Sequence, residues 1–369
     1  MCCNQVFAQS SSIGITLHAR VDTTQQEIKA ISELWINYLL SRPDSIYDHP
    51  CWNSAEKKTY RDFDFTRQFL YPFPSKQLLS YYAPTVLSIE KEGAYYAIRT
   101  LFQADGLEGV YRASNPWCIT KIYAVKEQQQ WKLMNALPVV TKHWKRTTVG
   151  KITFIYPPEH SFNLPLAKRA NRFCDSLAKR YGNWEWSPFD YYITASGDAL
   201  GRLLGFDFYY TGYSTGMTMK ERSIIFTGCG TEWYPHEFVH WVVGNKQRHG
   251  LVEEGFATWV SGQVSNETSY KQAVQKLAVA LSKNDTVTVQ DIIDKKWGWQ
   301  NASLYFYATG AVFCQLVYDK KGLEGLQQLL ALPADKAVLL NQLCTLLDVT
   351  PAELLPLLRK QVNKYRNTD

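Results

Sequence analysis

Residues 234–260 read YPHEFVHWVVGNKQRHGLVEEGFATWV, and this stretch confines the chain to two short helices with a turn between them. Pro235 suits the first position of a helix, where its missing N–H would have no intrahelical partner in any case. Phe238, Val239, Val242 and Val243 supply an apolar packing face, and Gly244-Asn245 ends the helix. His236 and His240 are four positions apart and therefore project from one face about a turn apart. Glu237 lies roughly 100° round the helix from His236, at the edge of that face. Two neutral imidazoles at this spacing can share one tetrahedral metal ion. A carboxylate beside them can take a proton from water without itself becoming a ligand. This is the H-E-x-x-H spacing.

A third ligand is needed, and the residues leave three candidates open. The metzincin pattern H-E-x-x-H-x-x-G-x-x-H fails, because Val243 and Lys246 stand where it needs Gly and His. His249 is near, but the run before it lacks the required turn position. The third candidate is the helix LVEEGFATWV, on which Glu254, Ala257, Thr258 and Ser261 share a face. Small residues at 257 and 258 would let that face approach the first helix, and Phe256, Trp259 and Val260 would point into the core.

The rest of the chain narrows the functional classes. At 369 residues it is expected to form two domains, and 46% hydrophobic with 20% charged residues fits a globular core. The formal net charge is +6, but the basic residues are dispersed. The nearest cluster, KHWKR (142–146), reads as a solvated boundary rather than a nucleic-acid stripe. No apolar run approaches eighteen residues, so no membrane span is expected. The eight cysteines include no C-x-x-C pair, which argues against a cysteine zinc site. Cys229, between Gly228 and Gly230, is a nucleophile candidate by neighbourhood only. The opening MCCNQVFAQSSS lacks a basic start and a full apolar segment, yet VFAQSSS resembles the tail of a secretion signal with Ala8 before the cut. An extracytoplasmic location, periplasmic or secreted, is the expectation; a cytoplasmic one is the alternative.

Residues 1–21 read as a flexible N-terminus or signal remnant. Residues 22–146 read as an α+β module: a helix over 22–41, then TVLSIEKEG, AYYAIRTLFQA, CITKIYAVKEQQQ and WKLMNALPVV as antiparallel strands of a curved sheet. That order resembles the nuclear transport factor 2-like fold in topology alone. His49 and His143 are isolated there and read as a satisfied and a surface histidine. Residues 147–369 form the second domain. KITFIY, DYYITAS and RSIIFTG read as strands of a small mixed sheet, NLPLAKRANRFCDSLAKRYG as a helix capped by Asn163, and the stretch from 265 onward as a helical subdomain.

HEFVH followed by EEGFATW resembles the gluzincin metallopeptidases, the clan of thermolysin and aminopeptidase N, whose second motif often reads Glu-Gly-Phe-Ala. The resemblance implies an α+β domain of gluzincin type with one Zn2+ per chain. It implies that His236, His240 and Glu254 bind the ion, with Glu253 as the alternative ligand, and that Glu237 is the general base. It implies a peptide or protein substrate. The segment YATGAVFCQLVYDKKG resembles one in small members of the clan where a tyrosine faces the metal. Tyr307, with Tyr305 next, is therefore the expected donor to the transition-state oxyanion. By analogy with related folds, Ile224, Ile225, Phe226 and Thr227 are expected to form an edge strand that pairs with extended substrate. The fourteen positions from His240 to Glu254 are fewer than in thermolysin, and no G-x-M-E-N sequence precedes the motif, so an endopeptidase is favoured over an aminopeptidase. Two other readings stay open: a non-catalytic binding or assembly protein on a peptidase-like scaffold, and hydrolysis of a non-peptide amide or ester.

Overall fold

The computed structural model describes residues 14–41, 49–60, 64–66, 79, 81–104, 115–182, 184–210, 215–244 and 247–366. The signal-like segment and Lys246 lie outside them. The first elements in chain order are β1 (Thr16–Leu17), α1 (Gln26–Leu40), α2 (Ser54–Tyr60), β2 (Ala83–Glu92), β3 (Tyr95–Gln103), β4 (Cys118–Glu127), β5 (Gln130–Met134) and α3 (Ala136–Val140). Next come β6 (Lys145–Val149), β7 (Ile152–Tyr156), α4 (Leu164–Tyr181), β8 (Phe189–Ile193), α5 (Gly197–Leu203), β9 (Phe206–Tyr209), β10 (Gly216–Met219) and β11 (Ile224–Thr227). The last are α6 (Pro235–Val243), α7 (Gly250–Ser261), β12 (Gln263–Ser265), β13 (Thr268–Ser269), α8 (Tyr270–Ser282), α9 (Val289–Ile293), α10 (Ala302–Leu330), α11 (Lys336–Leu347) and α12 (Leu354–Asn363). The class is α+β. No single helix among the described residues is long and apolar enough to cross a membrane.

The chain divides into two compact units, 1–144 with 195–214, and 145–194 with 215–369. In the first unit, β2, β3, β4 and β5 pair antiparallel in succession, and β1 adds parallel to β2. Residues 195–214, which sequence order assigns to the second domain, return to this unit because β9 pairs with the first part of β4 (Cys118↔Tyr209, Ile119↔Phe208). One face of α1, with Ile31, Trp35 and Tyr38 wholly buried, forms part of this unit's core. The Trp35 indole N–H donates to Thr100 Oγ1 at 2.8 Å, which ties α1 to β3. His49 is buried, with Nδ1 accepting from the Cys51 N–H and Nε2 2.8 Å from Ser41 Oγ, while His143 is exposed.

In the second unit the sheet order is β10-β11-β8-β7-β6. β7, β8 and β11 run parallel, and antiparallel strands flank them at both ends. The α4 helix links β7 to β8. Asn163 caps it by accepting the Leu166 N–H, and it buries Ala167, Ala170, Cys174, Leu177, Ala178 and Tyr181, a stripe at helical spacing. Phe154, Tyr191, Ile193 and Ile225 from the sheet join Phe238 from α6 in one core. The α6 helix starts at Pro235 and ends at Gly244, whose carbonyl accepts from Lys220 Nζ at 2.7 Å. His249 caps α7 by accepting the Leu251 N–H, and Gly262 ends it at φ 76°, a left-handed turn that glycine adopts without strain.

The position of α7 is set by α10. Gly255 and Gly310 face each other so closely that a methyl group on Gly255 would fall inside the Gly310 backbone, and one on Gly310 inside the Leu251 carbonyl. The expected contact surface of Ala257 and Thr258 is buried, but the closest approach falls on the glycine one turn earlier, and it is made to α10. Gly255→Ala and Gly310→Ala are each expected to lower stability by about 2 kcal/mol, because the crowding meets backbone that cannot swing aside. Urea unfolding measures this.

The first unit carries a buried carboxyl with a pH signature. Glu56 Oε2 accepts from the Asn135 N–H and Asn53 Nδ2, and Oε1 accepts from Asn135 Nδ2. Burial nevertheless pushes Glu56 up to about 7. Its folded pKa lies above the unfolded 4.5, so the folded state holds the proton more tightly. The stabilisation is complete below pH 4.5 and is lost as pH rises through 7, a change of about 3 kcal/mol. Unfolding of this unit as a function of pH, with Glu56→Gln flattening the slope, is the check.

Candidate metal centre

Three side chains from two helices converge. His236 and His240 come from α6, and Glu254 comes from the first turns of α7. His236 Nε2 lies 3.2 Å from His240 Nε2 and 3.2 Å from Glu254 Oε2, and His240 Nε2 lies 3.3 Å from the same oxygen. A tetrahedral ion with ligands at about 2.0–2.1 Å holds its donors about 3.3 Å apart, so this triangle is one face of such a site. Among the described residues, this is the group of three His, Cys, Asp or Glu that could hold a metal ion.

The outer ring nitrogens decide which lone pairs face inward. His236 Nδ1 is 3.1 Å from the Gln263 carbonyl oxygen, and His240 Nδ1 is 3.0 Å from Glu253 Oε1. Both contacts are acceptors, so each Nδ1 carries the proton and donates. With Nδ1 donating, the Nε2 of each ring faces the centre, next to a carboxylate oxygen. Three acceptors facing one another without a proton between them call for a cation. The surrounding carboxylates draw positive charge onto the centre. Burial works against charge on His240, yet the Glu254 and Glu253 carboxylates raise it well above the usual histidine range. Burial alone would raise Glu254, but His240 and His236 together hold it well below the usual carboxylate range. The donor set of two imidazoles and one carboxylate suits a divalent ion of the zinc class.

The other third-ligand candidates are placed elsewhere. His249 is spent on the α7 cap. Glu253 faces the outside of His240 and accepts a 2.7 Å bond from Arg248 Nη1, whose Nε in turn donates to the Leu330 carbonyl. Glu253 therefore orients His240 rather than facing the centre.

Glu237 sits beside the triangle. The Thr218 hydroxyl donates to its Oε2 at 2.8 Å. Gly216 leaves room for the same side chain, since a Cβ there would come within 2.8 Å of Glu237 Oε1 and collide with the Tyr234 ring. Tyr307 lies parallel to the His236 ring, with centroids 6.1 Å apart and an 11° angle between planes. Burial pushes its phenol well above the usual range, and the Glu254 and Glu237 carboxylates add to that. Tyr305 points elsewhere, its ring tilted 32° against Trp297 with centroids 5.0 Å apart. Cys229 is half-buried, and burial raises its thiol, which is the opposite of what a nucleophilic thiolate needs.

The expected edge strand requires correction. Ile224, Ile225, Phe226 and Thr227 form β11, which pairs with β10 on one side and β8 on the other, and all four residues are buried. An interior strand has no ladder left to offer a substrate. The outer strand at this end is β10, which among the described residues pairs only with β11. It also carries Gly216 and Thr218 to Glu237. Sequence inspection misses Thr218, Gly216, Tyr234, Arg248 and the Gln263 carbonyl. None has a fixed spacing from the histidines, and a backbone oxygen leaves no trace in residue type.

Equilibration with zinc followed by elemental analysis is expected to give about one ion per chain. His236→Ala and Glu254→Ala should each lose it, whereas Glu253→Gln should retain it with affinity reduced about 10–100-fold. No family model matches the sequence, and no curated protein aligns with it as a relative.

Proposed function

We propose that this chain is a zinc-dependent hydrolase of peptide bonds, built on a gluzincin-type domain, with Glu237 as general base. The observation that carries this reading is the triangle of His236 Nε2, His240 Nε2 and Glu254 Oε2 with the Glu237 carboxylate beside it. A zinc ion held by those three residues supplies a Lewis acid that acidifies water and polarises a carbonyl.

The chain's own groups do the rest. Glu237 takes the proton of the attacking water and returns it to the leaving amine. Thr218 holds one carboxylate oxygen, so the carboxylate keeps one orientation through both transfers. The Tyr307 phenol stays protonated at neutral pH, because burial and two neighbouring carboxylates oppose its ionisation. It can therefore donate an O–H to the carbonyl oxygen as negative charge develops there. An extended peptide would add to β10, the outer strand, rather than to β11. Absence of the G-x-M-E-N sequence supports cleavage within a chain over removal of its first residue. For the first unit, the nuclear transport factor 2-like comparison rests on a helix followed by a long-stranded antiparallel sheet, and no chemistry is assigned to it.

Cleavage of a mixed peptide library, followed by mass spectrometry, tests the assignment. Glu237→Gln should reduce turnover about 10²–10⁴-fold with zinc content unchanged. Tyr307→Phe should lower kcat about 10²-fold with KM little altered. Loss of zinc in Glu237→Gln would contradict its role as base, and an intact zinc protein that cleaves no peptide would overturn the substrate class.

A further inference from the structure

The second unit has a pocket that the metal centre does not use. It has a volume of about 700 Å³ and lies between the outer face of α8 and the segment 297–305. The inner face of α8 is committed to the core through Ala273, Val274, Leu277, Ala278 and Leu281. Its outer face turns Lys276, Val279 and Lys283 to the pocket at one-turn spacing. The opposite wall is aromatic. Trp297 and Tyr305 meet there at a 32° tilt, and Gly298 lets the backbone lie close against the Tyr305 ring, where a Cβ would come within 2.5 Å of Cδ2.

The turn that carries this wall is strained just beyond the pocket lining. Trp299 is 82% exposed, the highest value among the exposed large hydrophobic residues, and Val279 in the pocket is 43% exposed. Trp299 also has φ 42°, a left-handed backbone that a bulky residue adopts only under strain. Lys295 (φ 53°) and Gly298 (φ 95°) bend the same segment. A strained turn that holds an indole in water costs stability twice, once in backbone and once in solvation. Such outliers cluster where a ligand is met.

The lining chemistry selects the ligand. No carboxylate lines the pocket, whereas Lys276 and Lys283 do, and neither makes an ion pair among the described residues. Gln275, Asn284 and Asn301 place amides among the aromatic rings. Ammonium groups suit an anion, amides suit hydroxyl groups, and ring faces suit the C–H face of a pyranose. A peptide held by strand addition is disfavoured, because helix and turn form both walls and offer no strand. We infer that this pocket binds an acidic saccharide, with a sugar ring laid against Trp297 and its carboxylate held by Lys276 and Lys283.

This site does not depend on hydrolysis at the metal centre, although α10 connects them, with Tyr305 on the pocket side and Tyr307 beside His236. Calorimetric titration of the full chain with a hyaluronan hexasaccharide and with trigalacturonate is the test. Maltohexaose serves as the uncharged counterpart, and vesicles of anionic phospholipid serve as a second source of negative charge. At least one acidic saccharide is expected to bind saturably, more tightly than maltohexaose, and more weakly as salt is added. Trp297→Ala and the double variant Lys276→Ala/Lys283→Ala should each weaken it about tenfold or more, with zinc content unchanged. The inference is overturned if neither acidic saccharide binds, if both variants bind like the parent chain, if maltohexaose binds as tightly, or if only the vesicles bind.

Discussion

The proton on the outer nitrogen of His236 and of His240 governs the candidate metal centre. The Gln263 carbonyl and the Glu253 carboxylate are both acceptors, so each ring must turn an unprotonated nitrogen inward. Two bare nitrogens at 3.2 and 3.3 Å from one carboxylate oxygen call for a positive charge among them. Much of the surrounding structure serves to hold these two acceptors in place. Arg248 fixes Glu253 and is itself anchored on the Leu330 carbonyl at the end of α10. Gln263 follows the left-handed Gly262 that closes α7.

The second constraint is the crossing of α7 and α10 at Gly255 and Gly310. Backbone-to-backbone contact there fixes how far Glu254 reaches toward the histidines, and it brings the first turns of α10 alongside His236. Because 305 and 307 lie about 200° apart on a helix, the same turn sends one tyrosine to the metal centre and the other to the pocket under α8. Gly216 plays the corresponding part on the sheet side. By lacking a side chain, it lets β10 pass next to Glu237, so that Thr218 can reach the carboxylate.

What was legible in the residues follows the range of the forces involved. His236, Glu237 and His240 share a helix face because of a four-residue period, and that period is local. The helix boundaries at Pro235, Gly244, Asn163 and Gly182 were legible for the same reason, since capping is satisfied within a few residues. Glu254 was reached through resemblance, because nothing in a fourteen-residue gap says which of two adjacent glutamates turns inward. Helix phase decides it: Glu254 Oε2 meets both rings, and Glu253 meets only the outside of one. The strand RSIIFTG was legible as a strand but not as an interior one. Its four buried residues fit either an edge packed beneath a helix or a centre, and only hydrogen bonding to both β10 and β8 separates the two.

By itself, then, the sequence determined many of the longer elements, several caps and the pair of imidazoles with an adjacent carboxylate, all consequences of contacts within a turn or two of helix, but it read 136–140 as strand where α3 is a helix and left α5, β9 and β10 unread. Tertiary structure alone decided the return of 195–214 to the first sheet, the order that puts β10 outermost, the partner of Glu237 and the division of labour between Tyr305 and Tyr307. These depend on backbone hydrogen bonds and close packing between segments far apart in the chain. Such contacts are selected by the whole fold and leave no periodic mark on the residues that make them.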